Sequence, residues 1–271
     1  MDDPDFFSAT IGIIGGKGRM GGWLARALEK AGQKVFIADA KDGEVSHEFV
    51  RRHRVLILAV PISRVGEVMQ RIGPRTLQDG VVMDICSLKQ GPMASMLEHA
   101  QGEVVGLHPM FGPSAKGFKG QTVFMSQGRG DRWHKWMSRF LKEQQAKVVE
   151  IEPKKHDQLM AQVQSLRHLW LLCLGQALED LGYDPASELD ISGPWFKTLL
   201  AMLGHQCEQP GELYTELAMN NPEVGPAAEA LQRAATNTLG CLENGDAEGL
   251  KRLFSQVESK FLGVSDDISL D

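Results

Sequence analysis

Residues 10–28 read TIGIIGGKGRMGGWLARAL. An apolar β-branched run meets a cluster of glycines, then apolar positions at helical spacing, which predicts strand, tight turn and helix in that order. Gly16, Gly18 and Gly21 stand in the spacing G-x-G-x-x-G. In that pattern the first glycine permits the turn, the second lets a pyrophosphate approach the backbone, and the third lets the helix pack on the strand. The free N–H groups of the helix start then favour phosphate. Lys17, Arg19 and Met20 complete the loop, with Arg19 either along the pyrophosphate or solvated on the first helical turn.

A lone glycine motif is weak evidence, but a second apolar run, KVFIAD, ends in Asp39, 18 residues past Gly21. A carboxylate there accepts from both ribose hydroxyls and repels a 2′-phosphate, so NAD is expected over NADP. Lys41 is the neighbour that keeps NADP open. Val60 and Pro61 follow the third run and are expected to face the same dinucleotide.

Outward from this motif, apolar runs recur at 34–39, 54–60, 80–85, 103–107, 121–126 and 147–151. Helically spaced segments such as 64–73 and 133–144 lie between them. That alternation predicts an α/β fold with a Rossmann-type, doubly wound parallel sheet covered on both faces. After residue 152 no β-like run appears, and helices are expected at about 154–182, 193–206, 211–220, 222–243 and 246–262. The expected division is a NAD-binding domain over 1–151 and an all-α domain over 152–271, with a frayed tail at 263–271.

A charged content of 24% and a net charge of −6, without a run of basic residues, argue against nucleic acid as a partner. Cys86, Cys173, Cys207 and Cys241 form no CxxC pair, so neither a metal site nor a disulfide framework is expected. The acidic start MDDPDFFSAT lacks a signal-peptide layout, and no apolar run reaches the roughly 18 residues of a membrane span. The expectation is a cytoplasmic protein.

The chemistry concentrates in VVMDICSLKQGP (81–92) and VVGLHPMFGP (104–113). Both leave strands at the edge where open α/β sheets bind ligands. Ser87, Lys89 and His108 are thereby brought to the dinucleotide, and a histidine there can accept a proton from a hydroxyl as hydride leaves the same carbon. Ser87 could equally be a helix N-cap. Lys89 could merely serve a helix start, and His156 in KKHD reads as a substrate contact or a solvated helix-start residue. Trp133, Trp136 and Phe140 read as the core face of a helix, and Cys86 lacks a partner base.

The stretches GGKGRMG, AVPI, SLKQGP, GLHPMFGP, KKHDQLMAQVQSLRH and SGPWFKTLLAMLGH together resemble the prephenate dehydrogenase family, from Thr10 to about Phe261. Order and spacing look most like the dehydrogenase portion of the bifunctional chorismate mutase/prephenate dehydrogenases, here without the mutase and without a regulatory domain after the helices. The resemblance implies oxidative decarboxylation of a cyclohexadienyl acid with NAD. His108 matches the histidine that takes the hydrogen bond, and finally the proton, of the ring hydroxyl. Ser87 matches a serine of the same network, Lys89 a lysine of the same site, and His168 a substrate-contacting histidine. The helical half resembles a dimerisation domain, which implies a homodimer with the site between domains.

One segment departs from the family. Lys197 and His205 stand where the relatives it most resembles carry arginines, the second of which grips a substrate carboxylate. Losing a charge-assisted contact costs about 1.5–3 kcal/mol if nothing replaces it, roughly ten- to hundredfold in affinity. Lys197 or Arg167 can substitute, leaving prephenate as substrate. Otherwise the substrate is 4-amino-4-deoxyprephenate or arogenate. A catalytically silent NAD-binding protein is the reading from another class. A β-hydroxyacid dehydrogenase would need a lysine on the long helix, where this chain has Arg167 and His168.

Overall fold

The computed structural model describes residues 9–264. The acidic start (1–8) and residues 265–271 of the expected frayed tail lie outside the described residues. The first half alternates β1 (Thr10–Ile14), α1 (Arg19–Lys30), β2 (Lys34–Ala38), α2 (His47–Arg52), β3 (Val55–Leu58), α3 (Val65–Ile72), β4 (Val81–Asp84), α4 (Gln90–His99) and β5 (Glu103–Pro109). It closes with β6 (Thr122–Arg129), α5 (Arg132–Glu143) and β7 (Lys147–Glu150). The seven strands form one sheet in the order β2-β1-β3-β4-β5-β6-β7.

Because β1 pairs with both β2 and β3, the winding reverses there, and a crevice opens past its carboxyl end. Central strands β3 and β4 are buried at every position, as continuous apolar runs between two helical layers must be. Trp23, Leu24 and Leu28 of α1 join Trp133, Trp136 and Phe140 of α5 on one face, confirming the latter as core. Val65, Met69 and Ile72 of α3 join Met93 and Met96 of α4 on the other.

Two sheet expectations need correction. The sheet is not all parallel: β6 runs antiparallel to β5, and β7 then runs parallel to β6. Between β5 and β6 the chain has no crossover helix, and a parallel return would require one. His108 also does not follow its strand on a loop. It lies inside β5, in register with Phe124 of β6. The prolines and glycines after it suggested an earlier end than the ladder has.

The change from sheet to helices falls between Glu150 and Pro153. α6 (Pro153–Met160) runs through a π-helical turn at Ala161–Ser165 into α7 (Leu166–Asp180). α8 (Pro185–Glu188), α9 (Pro194–Cys207), α10 (Gly211–Asn220), α11 (Val224–Glu243) and α12 (Ala247–Phe261) follow. The two halves meet where Leu88 and Phe124 pack with Met160 and Leu217. By contrast, α9 and α11 bury no residue in the single chain.

Candidate active site

The parallel register lines up Ile14, Leu58, Asp84 and Gly106 across β1, β3, β4 and β5. Everything just past that row faces one edge: the glycine turn, Val60, Ser87 and His108. At the β1 end the turn is made by Gly15, with φ +87°, rather than by Gly16 as the motif implied. A Cβ on Gly15 would lie 2.4 Å from the Ala59 carbonyl oxygen, and one on Gly21 would lie 2.3 Å from that of Gly15. Gly16 is required for a different reason, because its Cβ would meet Ile37 at 2.5 Å. Gly18 is the extended residue at the N-terminus of α1, where no side chain caps the helix and no acidic residue opposes an anion.

Asp39 is held in place by its own loop. One carboxylate oxygen accepts the Lys17 N–H at 3.0 Å and the other the Lys41 N–H at 3.1 Å. A pocket of about 540 Å³ opens beside it, lined by Gly15, Gly18, Asp39, Val60, Pro61 and Arg64, among others. The exposed Lys17 and the half-buried Met20 flank the turn. Arg19 donates to the Gln209 side chain at 2.6 Å, which ties the start of α1 to the helical half. A dinucleotide fits these residues: there is a bare helix start, a turn that excludes Cβ atoms and an oriented carboxylate.

Around His108 the polar groups are buried and interlocked. Its Nδ1 lies 2.9 Å from Nε2 of His156, whose Nδ1 lies 2.7 Å from a carboxylate oxygen of Asp157. Burial holds the His108 imidazole well below its ordinary range, and the nearby Lys89 ammonium acts in the same direction. His156 is fully buried, so the solvated helix-start alternative is wrong. Asp157 also accepts the backbone N–H groups of Lys89 at 2.7 Å and Gln90 at 2.9 Å, capping α4. Ser87 is therefore not the N-cap; it is half-buried and makes no hydrogen bond among the described residues.

Lys89 occupies the site differently from the expectation. Its ammonium is fully buried, paired with Asp84 and donating to the Leu107 carbonyl at 2.7 Å. It anchors the residue before His108 and presents no free charge to a substrate. Burial pushes the Asp84 carboxyl up, against the pull of Lys89. Cys86 donates weakly towards the Val60 carbonyl, and burial raises its thiol well above the usual value, which rules against a nucleophile.

His168 lines a second pocket of about 380 Å³ in the helical half, with Ser165, Leu169, Gln206 and Tyr214. The His168 ring packs edge-on against Tyr214 at 4.5 Å, and its Nε2 accepts from Arg167 at 2.6 Å. Burial lowers His168 to about 4, with Arg167 acting in the same direction. Two buried atoms here lack a hydrogen bond, Nδ1 of His168 and the side-chain oxygen of Gln206. The other substrate candidates are not gathered with them. His205 is 76% exposed and pairs with Glu208 at 3.2 Å, so the imidazole already faces a carboxylate of its own chain. Among the described residues Lys197 reaches only the Asp190 carbonyl, at 3.4 Å. Of the two proposed substitutes for the missing arginine, only Arg167 stands beside His168.

His156, Asp157, Asp84 and Gln206 are the residues whose part in the site sequence reasoning undervalued. KKHD offered a signal, an adjacent histidine and aspartate at a helix start, but no spacing rule connects it to a strand 48 residues upstream. Gln206 carried no signal.

Two family models match the chain: "Prephenate dehydrogenase, nucleotide-binding domain" over residues 25–150, and "Prephenate dehydrogenase, dimerization domain" over 152–256. The Haemophilus influenzae T-protein is 32% identical over 251 residues, covering 93% of this chain and 67% of that protein. A 4-amino-4-deoxyprephenate dehydrogenase of Streptomyces pristinaespiralis is 29% identical over 266 residues, covering 90% of this chain and 88% of that protein. The chain spans 61% of the length of a probable arogenate/prephenate dehydrogenase of Methanocaldococcus jannaschii, to which it is 30% identical over 271 residues. The crystal structure of prephenate dehydrogenase from A. aeolicus with hydroxyphenyl propionate and NAD+ superposes with a TM-score of 0.74 at 19% identity, covering 94% of this chain and 98% of that one. Together with the glycine turn and the His108 edge, these matches mean that the chain belongs to the prephenate dehydrogenase family.

Proposed function

We propose that the protein catalyses NAD-dependent oxidative decarboxylation of prephenate, working as a homodimer through its helical half. The observation that carries this reading is His108, buried and held neutral, two residues past the strand row that ends at the dinucleotide turn. Gly15, Gly18, Asp39, Val60 and Pro61 would hold the cofactor, and its bound nicotinamide supplies a hydride acceptor. As hydride leaves the carbinol carbon, positive character builds on the ring hydroxyl. A neutral His108 accepting that hydroxyl's hydrogen bond stabilises the charge, whereas an imidazolium would oppose it. The ring carboxylate departs as carbon dioxide, and the electron pair of the broken bond makes the ring aromatic. Ser87, on the segment leaving β4, can position the same hydroxyl. Arg167 beside His168 offers the cation for a side-chain carboxylate.

The 29% identity to a 4-amino-4-deoxyprephenate dehydrogenase over most of both chains favours one second reading, in which an amine replaces the ring hydroxyl. The deciding assay follows NADH absorbance with prephenate, arogenate and 4-amino-4-deoxyprephenate offered separately. Prephenate is expected to give the highest kcat/KM, and His108→Asn to lower kcat by about 10²–10⁴ while NAD binding persists. A preference for the amino compound establishes the second reading. Unchanged turnover in His108→Asn sinks the role of the histidine.

A further inference from the structure

Accepting a hydrogen bond from substrate requires a lone pair on the nitrogen that faces it. Burial alone makes an imidazole neutral without deciding which nitrogen keeps the proton. We propose that His156 and Asp157 are positioning residues that set this choice, placing the proton of His108 on Nδ1 and leaving Nε2 as the acceptor. The proposal rests on the reading of His108 given above.

Three buried side chains, Asp157, His156 and His108, stand in a row. Asp157 is an acceptor on every side: two backbone N–H groups of the α4 start and Nδ1 of His156 converge on its two oxygens. The contact at 2.7 Å is therefore a donation from His156 Nδ1–H. On this proposal the His156 ring carries a single proton, on Nδ1, which leaves its Nε2 as a lone pair. That lone pair lies 2.9 Å from Nδ1 of His108, which must then donate. Only Nε2 of His108 remains to accept, and it has no partner among the described residues.

Neighbouring groups hold the pieces still. Asn221 donates to the Asp157 main-chain carbonyl at 3.0 Å. The Lys89 ammonium donates to the Leu107 carbonyl, fixing the peptide that precedes His108. The Phe124 ring stands edge-on to His156 at 5.4 Å and closes the other side. The opposite tautomer would aim an N–H at the substrate hydroxyl and withdraw electrons as hydride leaves. In serine hydrolases an aspartate sets a histidine tautomer in the same way, and losing it costs about 10⁴ in kcat.

The test compares His156→Gln with His156→Leu in the full chain, with NAD and the substrate found in the assay above. A glutamine amide oxygen can accept from His108 Nδ1–H; leucine cannot. His156→Leu is expected to lose about a hundredfold or more in kcat, with KM and NAD affinity within about threefold of the parent. His156→Gln is expected to return within about tenfold of it. Equal losses in the two variants overturn the proposal. Nitrogen-15 spectra of histidine-labelled parent protein supply the second arm, because they report the tautomer without turnover or mutation. A proton on Nδ1 of His108 supports the proposal, and one on Nε2 overturns it. An Nδ1–H signal in a protein that oxidises none of the three acids would leave the positioning pair standing and remove the proposed reaction.

Discussion

Asp39 shows how much one side chain settles at this site. Its two oxygens accept the Lys17 and Lys41 N–H groups, which orients the carboxylate that, on the proposed reading, disfavours a 2′-phosphate. Asp39→Ser removes that charge while keeping a hydroxyl that can accept from the loop. The ratio of kcat/KM for NAD over NADP is expected to fall at least about tenfold, roughly 1.4 kcal/mol of lost discrimination. An unchanged ratio would show that another group does the discriminating. Gly15 illustrates a different constraint. With φ +87° and the Ala59 carbonyl 2.4 Å from any added Cβ, Gly15→Ala combines backbone strain with a clash. The expected cost is on the order of 3 kcal/mol in stability, with weakened NAD binding, read by thermal unfolding with and without NAD. Gly15 precedes the G-x-G-x-x-G spacing, so the motif pointed one residue too late for the turn. Positive φ is a property of the folded backbone, and two adjacent glycines in sequence give no sign of which one adopts it.

At the level of single elements, legibility follows how local the cause is. β1 to β5 and α7 could be located because apolar periodicity is written along each segment. β6 was located too, as the run at 121–126, but its antiparallel direction was not legible, since that depends on where the 110–121 segment returns: Trp23 of α1 donates to the Ala115 carbonyl at 2.7 Å and packs edge-on against Phe111 and Phe118. The start of α4 is likewise capped from a distance, by Asp157 on α6. Buried histidines on three elements make a measurable prediction. His53 after α2, His108 in β5 and His168 in α7 all sit below the ordinary 6.5 because burial penalises their cations, His168 at about 4. Each binds its proton less readily in the fold than in the unfolded chain, so below about pH 6.5 the unfolded chain binds more protons than the native one. Stability is therefore fully present above pH 6.5 and declines as pH falls towards 4. Asp84, raised by burial, works in the opposite sense, so the histidine contribution is read as the difference between the parent and a variant that keeps Asp84. Unfolding midpoints measured from about pH 7.5 to 5 should fall in the parent and fall less steeply in His168→Gln. Identical slopes would mean that His168 binds its proton as readily in the fold as in the unfolded chain.

The whole molecule has one half that is complete and one that is not. Sheet and covering helices bury a continuous core, whereas the helical half leaves Ile191 84%, Trp195 74% and Phe254 69% exposed. A chain with a net charge of −6 does not leave such side chains in water without a reason, and large exposed apolar patches mark interaction surfaces. The matched dimerization model spans α9, α11 and most of α12, the elements on which Trp195 and Phe254 lie. The same α9 carries Gln206, which lines the His168 pocket and donates to the His168 carbonyl at 3.2 Å. On the proposed reading, assembly and substrate pocket share α9, while the dinucleotide turn lies on α1 in the other half. A homodimer is expected by sedimentation, with an unfolding midpoint that rises with protein concentration. Trp195→Glu and Phe254→Glu should each shift the protein to monomer. In the monomeric form KM for the ring substrate should rise at least about tenfold as α9 loosens, with NAD affinity nearly unchanged, because only the pocket depends on that helix. A parent that sediments as a monomer would remove the dimer. A monomeric variant with normal KM would separate α9 packing from the pocket and leave His168 and Arg167 to hold the substrate on their own helix.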